Sequence, residues 1–135
     1  MKISSQIAQM MISKAIEKAT VEFKRPICVS VCDTDGLLIA FCRVEGGHAR
    51  SIEMSQAKAY TAARMGVDTD AFLERLQREN LSISYWCDPR MTPMPGGVVL
   101  KDATGAVIGG VGIAGLKSQE DLAIAHTVAE VIKGF

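Results

Sequence analysis

Two tetrapeptides constrain this chain more than any other feature: Asp33-Thr34-Asp35-Gly36 and Asp102-Ala103-Thr104-Gly105. Each is a turn signal, with an Asp that can bond nearby backbone amides and a Gly that can take positive φ. Each is flanked by short apolar runs. Ile27–Cys32 and Leu37–Val44 bracket the first; Val98–Lys101 and Ala106–Ile113 bracket the second. Two hairpins predict a mostly antiparallel sheet.

Helical spacing supplies the rest. Over residues 4–23, Ala8, Ile12, Ala15, Ile16, Ala19 and Phe23 recur at helical intervals, Ile7 and Met11 add a second apolar strip, and Ser4 or Ser5 can cap. A helix apolar on two sides hints at a second subunit. Pro26 is expected to stop it. Ser51–Met65 reads as a second helix ended by Gly66. A third, capped by Thr69 or Asp70, runs to about Glu79. Leu81–Trp86 reads as a short strand. The last helix is capped by Ser118, with Asp121 in a capping-box-like place. The predicted order is α-β-β-α-α-β-β-β-α: an α/β (α+β) fold, with an antiparallel sheet flanked by helices. At 135 residues the chain suits one domain, 1–135.

Fifteen basic and fifteen acidic residues cancel, without long runs of one sign. That leaves no electrostatic footprint for nucleic acid or an anionic membrane. No segment is apolar for long enough to span a bilayer, and the N-terminal stretch lacks the form of an export signal. The expected location is the cytoplasm. Cys28, Cys32, Cys42 and Cys87 make no CxxC pair and read as reduced thiols, with Cys28 and Cys32 on one strand face. With no paired-His spacing, no metal site is expected. Asp33 and Asp35 read as turn residues.

Gly110-Val111-Gly112-Ile113-Ala114-Gly115 matches GxGxxG in letters. A dinucleotide site also needs a following parallel strand and an acid about twenty residues on, and the sequence supplies neither. The glycines read instead as room for close approach by a helix or a ligand. Gly115 permits the turn into the last helix. The amides near Leu116–Gln119 remain a place where a helix start could hold a carboxylate. No P-loop, G-x-S-x-G elbow or nucleophile–base pair is legible, so no catalytic residue is assigned and an enzyme is not the favoured reading.

Ser51, Ser55 and Lys58 fall at i, i+4 and i+7, which places them on one helical face. On spacing alone that face reads as solvated; with the small residues around Lys58 it also reads as a binding face. Ile52, Ala59 and Ala63 lie on another face and can pack on the sheet. His48, in the loop before that helix, is a candidate haem ligand. His126 reads as a partly packed helix residue in preference to a ligand. Met94, Gly96 and Gly97, in a stretch of prolines, methionines and glycines, could line a pocket.

These segments also resemble a known family. Val29–Arg43 is similar to the V-D-x-x-G-x-L-x-A-x-x-R opening of the GlcG/HbpS-like proteins. Ser55–Ala63 resembles that family's K-A-x-T-A helix, and Pro95-Gly96-Gly97-Val98-Val99-Leu100 its P-G-G-x-P-L strand. Val107–Gly115, then Glu120-Asp121, resembles its closing stretch. Val99 stands where the family often has Pro, and Glu45 where it often has Asp. The resemblance implies a profilin-like fold with a five-stranded antiparallel sheet, and homo-oligomers. It implies a small-molecule-binding accessory protein of glycerol, propanediol or glycolate catabolism, with haem or another tetrapyrrole as a ligand. By carry-over, Lys58, Gly96 and Gly97 fall on pocket positions. The alternative is a non-haem structural or sensing subunit that binds a small carboxylate, a diol or a corrinoid.

Overall fold

A computed structural model describes residues 1–133; Gly134 and Phe135, which the expected domain 1–135 includes, lie outside the described residues. Helix α1 (Ser5–Lys18) starts at Ser4, whose hydroxyl accepts the Ile7 N–H at 3.1 Å. It continues into a π-helical turn, Ala19–Phe23. Lys24, at φ +54°, ends it by donating its N–H to the Ala19 carbonyl, so the stop falls two residues before Pro26.

Strands β1 (Cys28–Asp33) and β2 (Leu38–Arg43) form the first hairpin. Asp33 Oδ1 accepts the N–H groups of Asp35 and Leu37, as its turn role requires. Helices α2 (Ala49–Met65) and α3 (Thr69–Glu79) follow. Strands β3 (Gly97–Lys101) and β4 (Val107–Ala114) form the second hairpin, and α4 (Ser118–Ile132) closes the described chain. The sheet order is β2-β1-β4-β3, antiparallel throughout. Pairing of β1 with β4 joins the two hairpins into one sheet.

The sheet has four strands where five were expected. The missing one is Leu81–Trp86, of which Ile83–Trp86 is a 3₁₀ turn. Its alternation of apolar and polar residues imitates a strand, but the serines compete with a ladder. Ser82 Oγ accepts the Ser84 N–H, and Tyr85 and Cys87 donate back to the Ser82 and Ser84 carbonyls. Trp86 meets the Phe72 ring edge-on at 5.1 Å, which ties the turn to α3.

The two sheet faces differ in grain. Val29, Val31, Val98, Leu100, Val111 and Ile113 make one face and meet α1 and α4 in the main core. The other face is built of small residues, and α2 lies directly on it. A Cβ added at Gly112 would lie 2.0 Å from the Ser55 carbonyl oxygen, and one at Gly110 would lie 2.3 Å from that of Ala59. Only glycine allows that approach. The literal GxGxxG stretch is therefore filled by a helix backbone and has no room for a dinucleotide.

Candidate functional site

A cluster of polar groups lies where α2, the end of β4 and the start of α4 converge. The cleft there is lined by Arg50, Ser51, Met54 and Lys58 from α2, by Met94 from the loop before β3, and by the Ala114–Leu116 turn with Ser118 and Asp121, in a volume of about 180 Å³. Gly115, at φ +124°, makes the turn between β4 and α4 that brings Asp121, in the first turn of α4, within reach of Lys58.

Lys58 is the floor of this cleft. Its Nζ donates to the Ile113 carbonyl at 2.8 Å and to Asp121 Oδ2 at 3.2 Å. Asp121 Oδ1 in turn accepts the Leu116 N–H at 3.1 Å. Both side chains are only 3% exposed, so the face that reads as solvated from spacing is in fact buried. Burial pushes the Lys58 ammonium down and the Asp121 carboxyl up, and each charge partly offsets that shift in the other. Gly96 backs the lysine: a Cβ there would lie 2.9 Å from Lys58 Nζ.

The start of α4 differs from expectation. Lys117 is the N-cap residue, in place of Ser118, and Glu120 returns to the Lys117 N–H at 3.1 Å. With Asp121 on the Leu116 amide, the N–H groups of Leu116 and Lys117 are already held by this chain's own carboxylates. Two of the amides in the Leu116–Gln119 stretch are thus taken up within the chain.

Other expected site residues separate into roles. Ser51 lines the cleft, and its hydroxyl makes no hydrogen bond among the described residues. Ser55 is fully buried beneath α2, bonded to Ser30 Oγ at 2.8 Å and to the Ile52 carbonyl. Gly97 lies under the α2 backbone, where a Cβ would come 2.3 Å from the Lys58 carbonyl oxygen. Met94 lines the cleft and is half exposed. His48 is the exposed N-cap residue of α2; its imidazole does not cap the helix and it does not border the cleft. His126 is also exposed on α4, 4.0 Å from Asp68. Arg50 and Met54 were not singled out from the sequence; their signal is that they share the α2 face of Ser51 and Lys58. A wider depression of about 310 Å³ borders Tyr60 and Arg90, but Tyr60 is already bonded to Asp88 and stacked by Arg90.

Among the described residues no cluster of His, Cys, Asp and Glu is arranged to hold a metal ion. No helix there is long and apolar enough to cross a membrane.

Comparison with known proteins agrees with the geometry. The chain is similar over 98% of its length to the solved PduOC:heme complex, at 25% identity, 96% coverage of that chain and a TM-score of 0.87. It is similar to HbpS at 26% identity and a TM-score of 0.86, covering 98% of this chain and 91% of that one. Klebsiella pneumoniae protein ORFY shares the fold at 24% identity and a TM-score of 0.86, with 98% and 92% covered. No curated protein matches the chain in sequence. A family model described as haem degrading protein, HbpS-like, matches residues 3–130, and the chain belongs to that family.

Proposed function

We propose that this chain binds haem, or a close tetrapyrrole, at the mouth of the α2–α4 cleft, as a binding protein without turnover of its own. The observation that carries the reading is the likeness along nearly the whole chain to a protein solved as a haem complex. The donor set supports it. The thioethers of Met54 and Met94 are of a type that would hold the iron, and Arg50 and the Ser51 hydroxyl would suit a propionate. Bound haem would supply a coordinating, redox-active iron. At about 180 Å³ the cleft does not enclose a macrocycle, so the proposed contact is with one edge of the ring. The free cysteines suit a reducing compartment, in keeping with a cytoplasmic protein. An accessory role in glycerol, propanediol or glycolate catabolism rests on the motif resemblance alone.

Titration of the purified protein with hemin tests the reading. A saturable Soret shift is expected, weakened by Arg50→Ala. Parallel titrations of Met54→Leu, Met94→Leu and His48→Ala test which side chain would hold the iron. Absence of a saturable shift in the unmodified chain would sink the proposal.

One observation favours a second reading. The cleft volume falls below the roughly 300–1,000 Å³ usual for larger organic ligands, while Arg50 makes no ion pair among the described residues. That combination suits a small carboxylate. A thermal-shift screen of small carboxylates, diols and corrinoids discriminates, because a ligand of the folded state raises the melting temperature.

A further inference from the structure

Haem at the cleft mouth would leave one group at the floor without a task. Lys58 is the only buried lysine among the described residues. Desolvating an ammonium is costly, and an apolar side chain of the same length would fill the space without that cost. Stability alone does not ask for a lysine here.

Its surroundings leave the amine one open position. Of the three N–H directions around Nζ, one is taken by the Ile113 carbonyl at 2.8 Å and one by Asp121 Oδ2 at 3.2 Å. The third has no hydrogen-bond partner among the described residues, and Lys58 is part of the cleft wall. Gly96 leaves the nitrogen room, since a Cβ there would lie 2.9 Å from it. The rest of the cleft suits a short anion. A Cβ on Gly115 would lie 3.8 Å from Ser51 Oγ, and Ile113, whose carbonyl holds Nζ, is two residues back along the same backbone. A small molecule therefore spans the hydroxyl and the amine. Arg50, in the first turn of α2 beside Ser51, is exposed and makes no ion pair among the described residues.

On the reading of the cleft as a small-carboxylate site, we propose that it takes a small oxo acid, with the carboxylate against Arg50 and Ser51 and the ketone or aldehyde carbon bonded reversibly to Lys58 Nζ as an imine. The step balances within the Lys58–Asp121 pair. A proton passes from Lys58 to Asp121, and the freed lone pair attacks the carbonyl carbon as the C=O π bond breaks onto oxygen. A proton moves from nitrogen to that oxygen, giving a carbinolamine. Asp121 then gives its proton to the hydroxyl, the C–O bond breaks, water leaves and the C=N bond forms. The product is an iminium beside the Asp121 carboxylate, and no oxidant or reductant is consumed. Burial assists the first transfer, since it lowers the Lys58 ammonium and raises the Asp121 carboxyl.

Incubation of the full chain with pyruvate or glyoxylate and sodium cyanoborohydride, which reduces the C=N bond to a permanent adduct, tests this by peptide mass spectrometry. Lys58 is expected to be modified ahead of the exposed lysines, although it is the least accessible. Lactate, which has the carboxylate and no carbonyl, should slow that labelling. Arg50→Ala should slow it about tenfold through loss of one charged contact. Arg50 is exposed, so circular dichroism should report an intact fold in that variant. Labelling confined to the other lysines overturns the proposal. If lactate still raises the melting temperature in that case, the small-carboxylate reading stands without the carbonyl; if neither acid raises it, both fall. Labelling of Lys58 that neither lactate nor Arg50→Ala slows overturns the oxo-acid assignment.

Discussion

Lys58 Nζ and Asp121 Oδ2 stand 3.2 Å apart in a setting from which water is almost excluded, and they lock α2 to the first turn of α4. The cleft keeps its shape through this contact. Removing one partner strands a buried charge, which costs about 3–5 kcal/mol. Asp121→Ala is therefore expected to lower unfolding free energy by that order, read by urea denaturation. The double variant Lys58→Met with Asp121→Leu should recover part of the loss, because it leaves no orphan charge. A double variant less stable than Asp121→Ala would mean that the pair holds the fold by more than mutual neutralisation.

Gly112→Ala is the second prediction. The new methyl would lie 2.0 Å from the Ser55 carbonyl oxygen and 2.6 Å from the Ala59 nitrogen, both backbone atoms. Neither can swing aside, so α2 must lift from the sheet. Overpacking of this kind costs about 1–3 kcal/mol, and more when backbone must move. A fall in melting temperature is expected, together with weaker ligand binding, since α2 carries Arg50, Ser51 and Lys58. A neutral effect on both would show that α2 is not seated on the glycines.

Much of this was legible because it is local. The two Asp-to-Gly turns announce hairpins within a few residues, and the glycine-rich strand announces close approach. The helical spacing of Ser51 and Lys58 puts both at the cleft. What spacing cannot show is distance in the chain. Lys58 is buried because Asp121, 63 residues later, folds over it. Ser55 is drawn under the helix by Ser30 on another strand. The cap of α3, expected at Thr69 or Asp70, falls at Asp68 for a related reason: the Asp68 and Thr69 side chains turn to the backbone of β3, a tertiary task that competes with the local one. Leu81–Trp86 failed on local chemistry, since serine-to-backbone bonds outweigh alternation.

A third prediction concerns pH. Tyr60 Oη donates to Asp88 Oδ2 at 2.6 Å. That bond holds the Asp88 carboxyl below the usual carboxylate range and the Tyr60 phenol above its own. A depressed carboxyl contributes stability that is complete above its ordinary value and is lost as pH falls through the lower, folded one. A raised phenol contributes stability that is complete below its ordinary value and is lost as pH rises through the higher, folded one. The bond should thus act across the whole neutral range. Tyr60→Phe is expected to raise the Asp88 midpoint toward an ordinary carboxylate, followed by carboxyl NMR. An unmoved midpoint would remove the bond from the account.

The thiols provide the last prediction. Burial pushes Cys32 up to about 12, and Cys28 is raised by the same cause. Because the thiolate is the nucleophile, both should be inert to alkylation at neutral pH in the folded protein. Cys32 is doubly protected, since it is packed with Ala59 and Ala63 beneath α2. Cys87 is exposed beyond the 3₁₀ turn, and Cys42 is half-buried on the open edge of the sheet. Iodoacetamide followed by mass spectrometry should therefore label Cys87 first and Cys42 more slowly, with Cys28 and Cys32 modified only when the chain unfolds. Early modification of Cys32 would mean that α2 lifts from the sheet far more often than its glycine seat allows.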